Sequence, residues 1–164
     1  MDTRSTDLVL LLTRELDTFV REIRMFPDDG SVWSVPPGVT NSAGNLTAHV
    51  CGSLQHFVGA VLGHTGYVRD RSREFGPSAA TREELASELG ATIDVIKTVL
   101  PGIHPEQFDE TFPEPVGGVD LRTGLFLTHL WGHVAFHLGQ VGYLRRLMTK
   151  DNQSTSPLPV RTLA

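Results

Sequence analysis

Apolar residues recur at three- and four-residue steps in four separate stretches of the chain, and proline or glycine closes each one. The first stretch runs from about Thr6 to Met25, with Leu8, Leu11, Leu12, Leu16, Phe19, Val20 and Ile23 on one stripe, and stops before Phe26-Pro27-Asp28-Asp29-Gly30. That spacing predicts an amphipathic helix. The segment onward to Gly38, with Pro36-Pro37, is expected to be non-helical, because proline lacks an N–H and restricts the residue before it. A second helix opens with Asn41 or Ser42 as N-cap and runs from Ala43 to about Gly63, its stripe holding Leu46, His49, Val50, Ser53, Phe57, Ala60 and Val61. Within it Gly44, Gly52, Gly59 and Gly63 each cost up to about 1 kcal/mol relative to alanine, which implies close packing of a neighbour.

Residues 66–80 read as a charged loop, Arg69-Asp70-Arg71-Ser72-Arg73-Glu74-Phe75 at its centre, in which the alternating charges are expected to be solvated or paired with one another. Thr81 with Glu84 is a capping-box signature for a third helix, whose Leu85, Leu89, Ile93, Ile96 and Leu100 face inward until Pro101-Gly102. His104 to Asp120, which holds Pro105, Pro113, Pro115 and Gly117-Gly118, reads as loop with room for a short hairpin. A fourth helix spans about Leu121 to Met148, and Arg145, Arg146 and Lys150 suit the negative end of its dipole. The polar, Pro-rich residues 151–164 are expected to be a mobile tail behind a single domain of residues 1–150. Four helices without a strand pattern predict an all-α four-helix bundle, with two short connections and at least one long one.

Composition narrows the function. At 164 residues the chain is large enough for a core of its own, and Cys51, as the lone cysteine, rules out an internal disulfide or a Cys-X-X-Cys metal knuckle. A formal net charge of −5 has the wrong sign for gripping nucleic acid through a general field. The run Leu8 to Leu12 is too short for a membrane span or a signal-peptide core, so no membrane partner and a cytoplasmic location are expected.

Histidine is the residue type that carries chemistry here. His129, His133 and His137 follow one another at four-residue steps and so lie on one stripe of the fourth helix, where two imidazoles a turn apart can converge on one ion. The stripe runs among Leu127, Leu130, Trp131, Val134, Phe136 and Leu138, where a bare imidazole lacks partners. His49 sits in a similar setting on the second helix, so one ligand from there and two from the fourth helix make an open, nitrogen-only divalent metal site of catalytic type. Spacing alone leaves open whether the pair is His129 with His133 or His133 with His137. His56 projects from nearly the same face as His49, about 10 Å further along, and reads as a pocket residue at most. His64 and His104 read as surface residues and Cys51 as a small buried hydrophobe. Gln140, three residues past His137, is a candidate to support a ligand from behind. No carboxylate on the second or fourth helix stands at helical spacing from a ligand, and Glu114 and Asp120 lie on the preceding loop, so no general base is assigned and catalytic residues are left open.

Asn41 to Val50, Val68 to Phe75 and His133-Val134-Ala135-Phe136-His137-Leu138-Gly139-Gln140-Val141 together resemble the DinB-like superfamily, which includes YfiT-type proteins described as metal-dependent hydrolases. The resemblance extends to about Arg146, and its most specific part joins the His-X-X-X-His-X-Gly-Gln ending to the upstream histidine at a helix start. It implies a DinB/YfiT-like four-helix bundle with a long crossover and a nickel, zinc or similar divalent ion on His49, His133 and His137, leaving His129 one turn outside with a structural or pocket role. It also implies a homodimer and a small-molecule substrate, with thiol-dependent S-transferases and isomerases that use bacillithiol or mycothiol among the relatives. The leading expectation is therefore a metal-dependent enzyme, either a transferase or isomerase that uses a low-molecular-weight thiol or a hydrolase. Its rival is a non-catalytic, metal-binding or stress-associated bundle that works through a dimer surface.

Overall fold

A computed structural model describes residues 2–155 and 159–163. Six α-helices follow in chain order: α1 (Thr3–Arg24), α2 (Asp29–Trp33), α3 (Ala43–Leu54), α4 (Arg71–Phe75), α5 (Arg82–Val99) and α6 (Thr123–Thr149). The four long ones form the bundle. α1 packs on α5 and α6, and α3 packs on the same two, so α1 and α3 stand diagonally across the core. Phe19, Phe26, Leu54, Leu89, Ile96 and Phe126 fill the space between them with essentially no exposure. Among the described residues no helix is long and apolar enough to cross a membrane.

Local chemistry explains the helix ends. Asp2 accepts from the Arg4 N–H and starts α1 at Thr3, nearly a turn before the expected Thr6. Ser42 caps α3, with Asn45 returning the bond, and Thr81 with Glu84 caps α5 as the sequence predicts. α6 begins at Thr123 rather than Leu121, because Leu121 accepts from the Phe112 N–H (2.8 Å) and Arg122 pairs with Thr111 in an antiparallel bridge. The hairpin is present between Val116 and Val119, its turn made by Gly117 and Gly118 at φ 60° and 81°. Two consecutive positive φ values match the twist of a two-residue hairpin, and glycine adopts them without strain.

Three expectations need correction. The segment after α1 is not wholly non-helical: Asp28 and Ser31 form a capping box that supports the single turn of α2 ahead of Pro36-Pro37. The second helix is regular only to Leu54, and Gln55–Leu62 winds as a π-helix, with the Gly63 N–H bonding the Val58 carbonyl at 2.9 Å. None of the three connections is short. Each carries structure of its own, α2 in the first, α4 in the second, and a 3₁₀ turn (Pro105–Phe108) with the hairpin in the third.

Arg145 does not serve the helix dipole from solvent. It is fully buried, with Nε donating to Glu22 Oε2 at 2.6 Å and Nη1 to Asp151 Oδ2 at 3.0 Å. Its Nη2 donates to the Gln153 carbonyl, and Thr155 Oγ1 donates to Glu22 Oε1 at 2.8 Å. Asp151 to Thr155, the first part of the expected tail, therefore lie against α1 and α6, while residues 156–158 and 164 fall outside the described residues.

Candidate metal centre

His49 stands about two turns into α3, where Ser42 fixes the start, and His133 and His137 stand one turn apart on α6. Packing of α3 on α6 turns the three imidazoles toward one point. His49 Nε2 lies 3.1 Å from His133 Nε2, which lies 3.0 Å from His137 Nε2, and the three candidate ligand atoms fall within 4.8 Å of one another. Behind them, His49 Nδ1 is 2.9 Å from Glu74 Oε2 and His137 Nδ1 is 2.7 Å from Gln140 Oε1. Carboxylate and amide oxygens only accept, so each ring carries its proton on Nδ1 and presents a lone pair at Nε2. Two lone pairs thus face His133 Nε2, which has at most one proton to give. A cation at the focus satisfies all three. Two nitrogens roughly 2.0–2.1 Å from one ion stand about 2.9 Å apart at a right angle and about 3.4 Å apart at the tetrahedral angle. Separations of 3.0 and 3.1 Å lie in that interval.

Electrostatics keep the donors neutral. Burial, reinforced by the neighbouring imidazoles and Arg69, pulls His133 down to about 3. Burial also lowers His49 and His137, against the opposing bonds from Glu74 and Gln140. Neutral imidazoles are the form that binds a metal. For Glu74 burial is the largest single influence and favours the acid, but the bonds and charges of Arg69 and His49 together hold it below the ordinary carboxylate range.

Residues 11–141 match the family model of the DinB superfamily. The chain belongs to the DinB superfamily. A crystal structure of a conserved protein from Enterococcus faecalis superposes on this bundle with a TM-score of 0.71, at 17% identity, covering 92% of this chain and 99% of that one. At that identity the likeness concerns the fold. Among curated proteins no significant match is found.

The support for His49 in this DinB bundle comes from a place that sequence reasoning passed over. Arg69 and Glu74 do pair with each other, as alternating loop charges suggest, but they are buried rather than solvated, with side chains 10% and 4% exposed. Arg69 Nε donates to Glu74 Oε1 at 2.6 Å, and Nη2 donates to Glu74 Oε2 at 2.9 Å and to Ser53 Oγ at 2.8 Å. Nη2 is also 3.3 Å from His49 Nδ1, but its two hydrogens are already used by those oxygens. α4 carries Glu74 inward: Asp70 caps it, and the Asn45 side chain donates to the Glu74 carbonyl at 3.0 Å. Gly52 completes the arrangement, because a Cβ there would collide with the Glu74 carboxylate. Gly52, one of four glycines in the predicted second helix, is a sequence signal of this close neighbour.

The remaining candidates divide between the cluster and its surroundings. Gln140 stands behind His137 as expected. His129 stacks between Phe126 (6.1 Å) and His133 (6.2 Å) and faces a cavity of about 330 Å³ beside the cluster. His56 does not face it: on the π-helical segment its Nε2 lies 2.8 Å from Glu114 Oε1, which ties the hairpin loop to that segment. His64 and His104 are exposed, and Cys51 is fully buried, its thiol pushed up by that burial. The cavity is walled by apolar Phe57, Val116 and Phe126 and by polar Ser53, Arg71 and His129, with no carboxylate among its lining side chains. A larger hollow of about 430 Å³ between α1 and α6 holds no comparable cluster, and its Arg4 and Arg122 are both paired with Asp109.

Proposed function

We propose that this DinB protein is a metal-dependent enzyme in which His49, His133 and His137 hold one divalent ion and the adjoining cavity receives a small-molecule substrate. The observation that carries the reading is the convergence of three Nε2 atoms whose rings are fixed from behind by Glu74 and Gln140. Three neutral imidazoles suit zinc or nickel, and their number leaves coordination positions open. Such an ion supplies Lewis acidity, which makes a water or a thiol more acidic at neutral pH.

The chain's own groups favour thiol-dependent S-transfer or isomerisation over hydrolysis. Glu74 is the acid nearest the cluster, but both its oxygens are engaged by Arg69 and His49, so it orients His49 rather than accepting a substrate proton. His129 is the imidazole facing the cavity outside the cluster and is placed to relay a proton there. A thiolate nucleophile needs less proton transfer than an attacking water, and bacillithiol or mycothiol is the class of co-substrate in view. The rival reading, a non-catalytic metal-binding bundle that pairs with a second copy, draws on Leu125, Phe136, Tyr143 and Leu147, exposed along α6.

Elemental analysis of untagged protein purified without added metal should find one divalent ion per chain, and chelation should lower the melting temperature. His133→Ala should lose the ion while His129→Ala and His56→Ala keep it. Absence of stoichiometric metal, with a melting temperature indifferent to chelators, would overturn the proposal. Loss of the ion in all three variants would show that the ligand set is wrong.

A further inference from the structure

We propose that the cavity beside the cluster is a binding site for the carboxylate group of a small, partly apolar organic acid, with Arg71 as the residue that recognises the charge. The inference deepens the reading of this cavity as the substrate site and rests on it. Charge accounting singles out Arg71. The neighbouring Arg69 is neutralised by Glu74 through two bonds, whereas Arg71 makes no ion pair among the described residues. No acid lines the cavity to compensate it, and Glu114, on the loop above, is turned to His56. Apart from the proposed ion, the net charge of the lining comes from this one guanidinium, so the site selects anions, and a guanidinium matches a carboxylate with two parallel N–H bonds.

Arg71 is also held in position. Its guanidinium carbon lies 5.7 Å from the centroid of the Phe75 ring, and that ring packs 5.0 Å from His49. This stacking restrains a long side chain at the cavity mouth and reduces the entropy lost on binding. Phe57, Val116 and Phe126 give the same cavity an apolar lining, so the ligand class is an acid with a hydrocarbon or aryl part. A volume of about 330 Å³ limits it to a small metabolite.

Phenylacetate and its neutral isostere 2-phenylethanol separate charge from shape. Calorimetric titrations of both probes into wild type, Arg71→Gln and Arg71→Lys, each as purified and after chelation, should be accompanied by metal analysis and melting curves. Wild type should prefer the acid by at least roughly tenfold, the scale of one charge-assisted bond, and Arg71→Gln should lose most of that preference with unchanged metal content and melting temperature. Arg71→Lys should recover part of it. The proposal is overturned if wild type fails to bind the acid at millimolar concentration, if it does not distinguish acid from alcohol, or if the preference persists in Arg71→Gln. Loss of the preference in Arg71→Gln from a chain that carries no metal would uphold the anion site and refute the metal assignment. Stoichiometric metal without that preference would do the reverse.

Discussion

Gly52 sets how closely Glu74 can approach the buried face of α3, and through Glu74 it sets the orientation of His49. A methyl group at Gly52 would meet the carboxylate, which has no room to retreat while bonded to Arg69 and His49. Gly52→Ala should therefore weaken metal binding by roughly 10- to 100-fold, the usual effect of disturbing a group that orients a ligand, as measured by chelator competition. Gly132, on the exposed side of α6, meets nothing within 4 Å, so Gly132→Ala is the control: it should leave binding unchanged and raise stability by up to about 1 kcal/mol. At this scale the histidine stripe on α6 is legible, but its spacing leaves the pairs His129 with His133 and His133 with His137 both open, and it is the family resemblance that implies His49, His133 and His137. Glu74 was not legible, since it lies 25 residues from His49 in a run whose alternating charges look solvated until the chain folds.

At the level of elements, helical periodicity identified α1, α3, α5 and α6, because each turns a continuous apolar stripe to the core. It did not reveal the π-helical segment, since wider winding breaks the 3.6-residue phase on which such a reading depends. His56 is the residue affected: extrapolated as regular helix it shares a face with His49, whereas it is turned to Glu114. α2 was missed because two prolines just beyond it obscured the Asp28–Ser31 cap. That short turn positions Trp33, whose ring covers Gly44 and whose Nε1 donates to the Ala80 carbonyl at 2.7 Å, tying the first connection to the end of the second. Trp33→Ala should destabilise the protein by about 3 kcal/mol in chemical denaturation, the range for removing a large aromatic from a packed site.

Across the whole molecule, the cluster draws on α3, the α4 connection and α6, so its electrostatics report on global folding. An imidazole of the unfolded chain titrates near 6.5, whereas burial holds His49, His133 and His137 below that in the native state, His133 at about 3. The unfolded chain thus takes up protons that the folded one refuses once the pH drops below about 6.5. The stability from these neutral histidines is complete above that pH and is lost as the pH falls toward the folded values. Metal-depleted protein should accordingly melt lower at pH 5 than at pH 8, while a melting temperature equal at the two would contradict the burial of uncharged imidazoles. The bundle architecture was legible from four amphipathic stripes, but the lengths of the connections were not, because their structure depends on contacts with the bundle rather than on local pattern.

The buried Arg145 bears on where the folded unit ends. Composition places that boundary at Lys150, yet Arg145 donates to the Asp151 carboxylate and the Gln153 carbonyl, and Thr155 donates to Glu22. A chain ending at Lys150 would leave a guanidinium sealed in the core with Glu22 as its remaining side-chain partner, a costly arrangement for a buried cation. Truncation after Lys150 should therefore destabilise the protein more than truncation after Thr155, and limited proteolysis from the C-terminus should slow at Thr155, several residues beyond the end of α6.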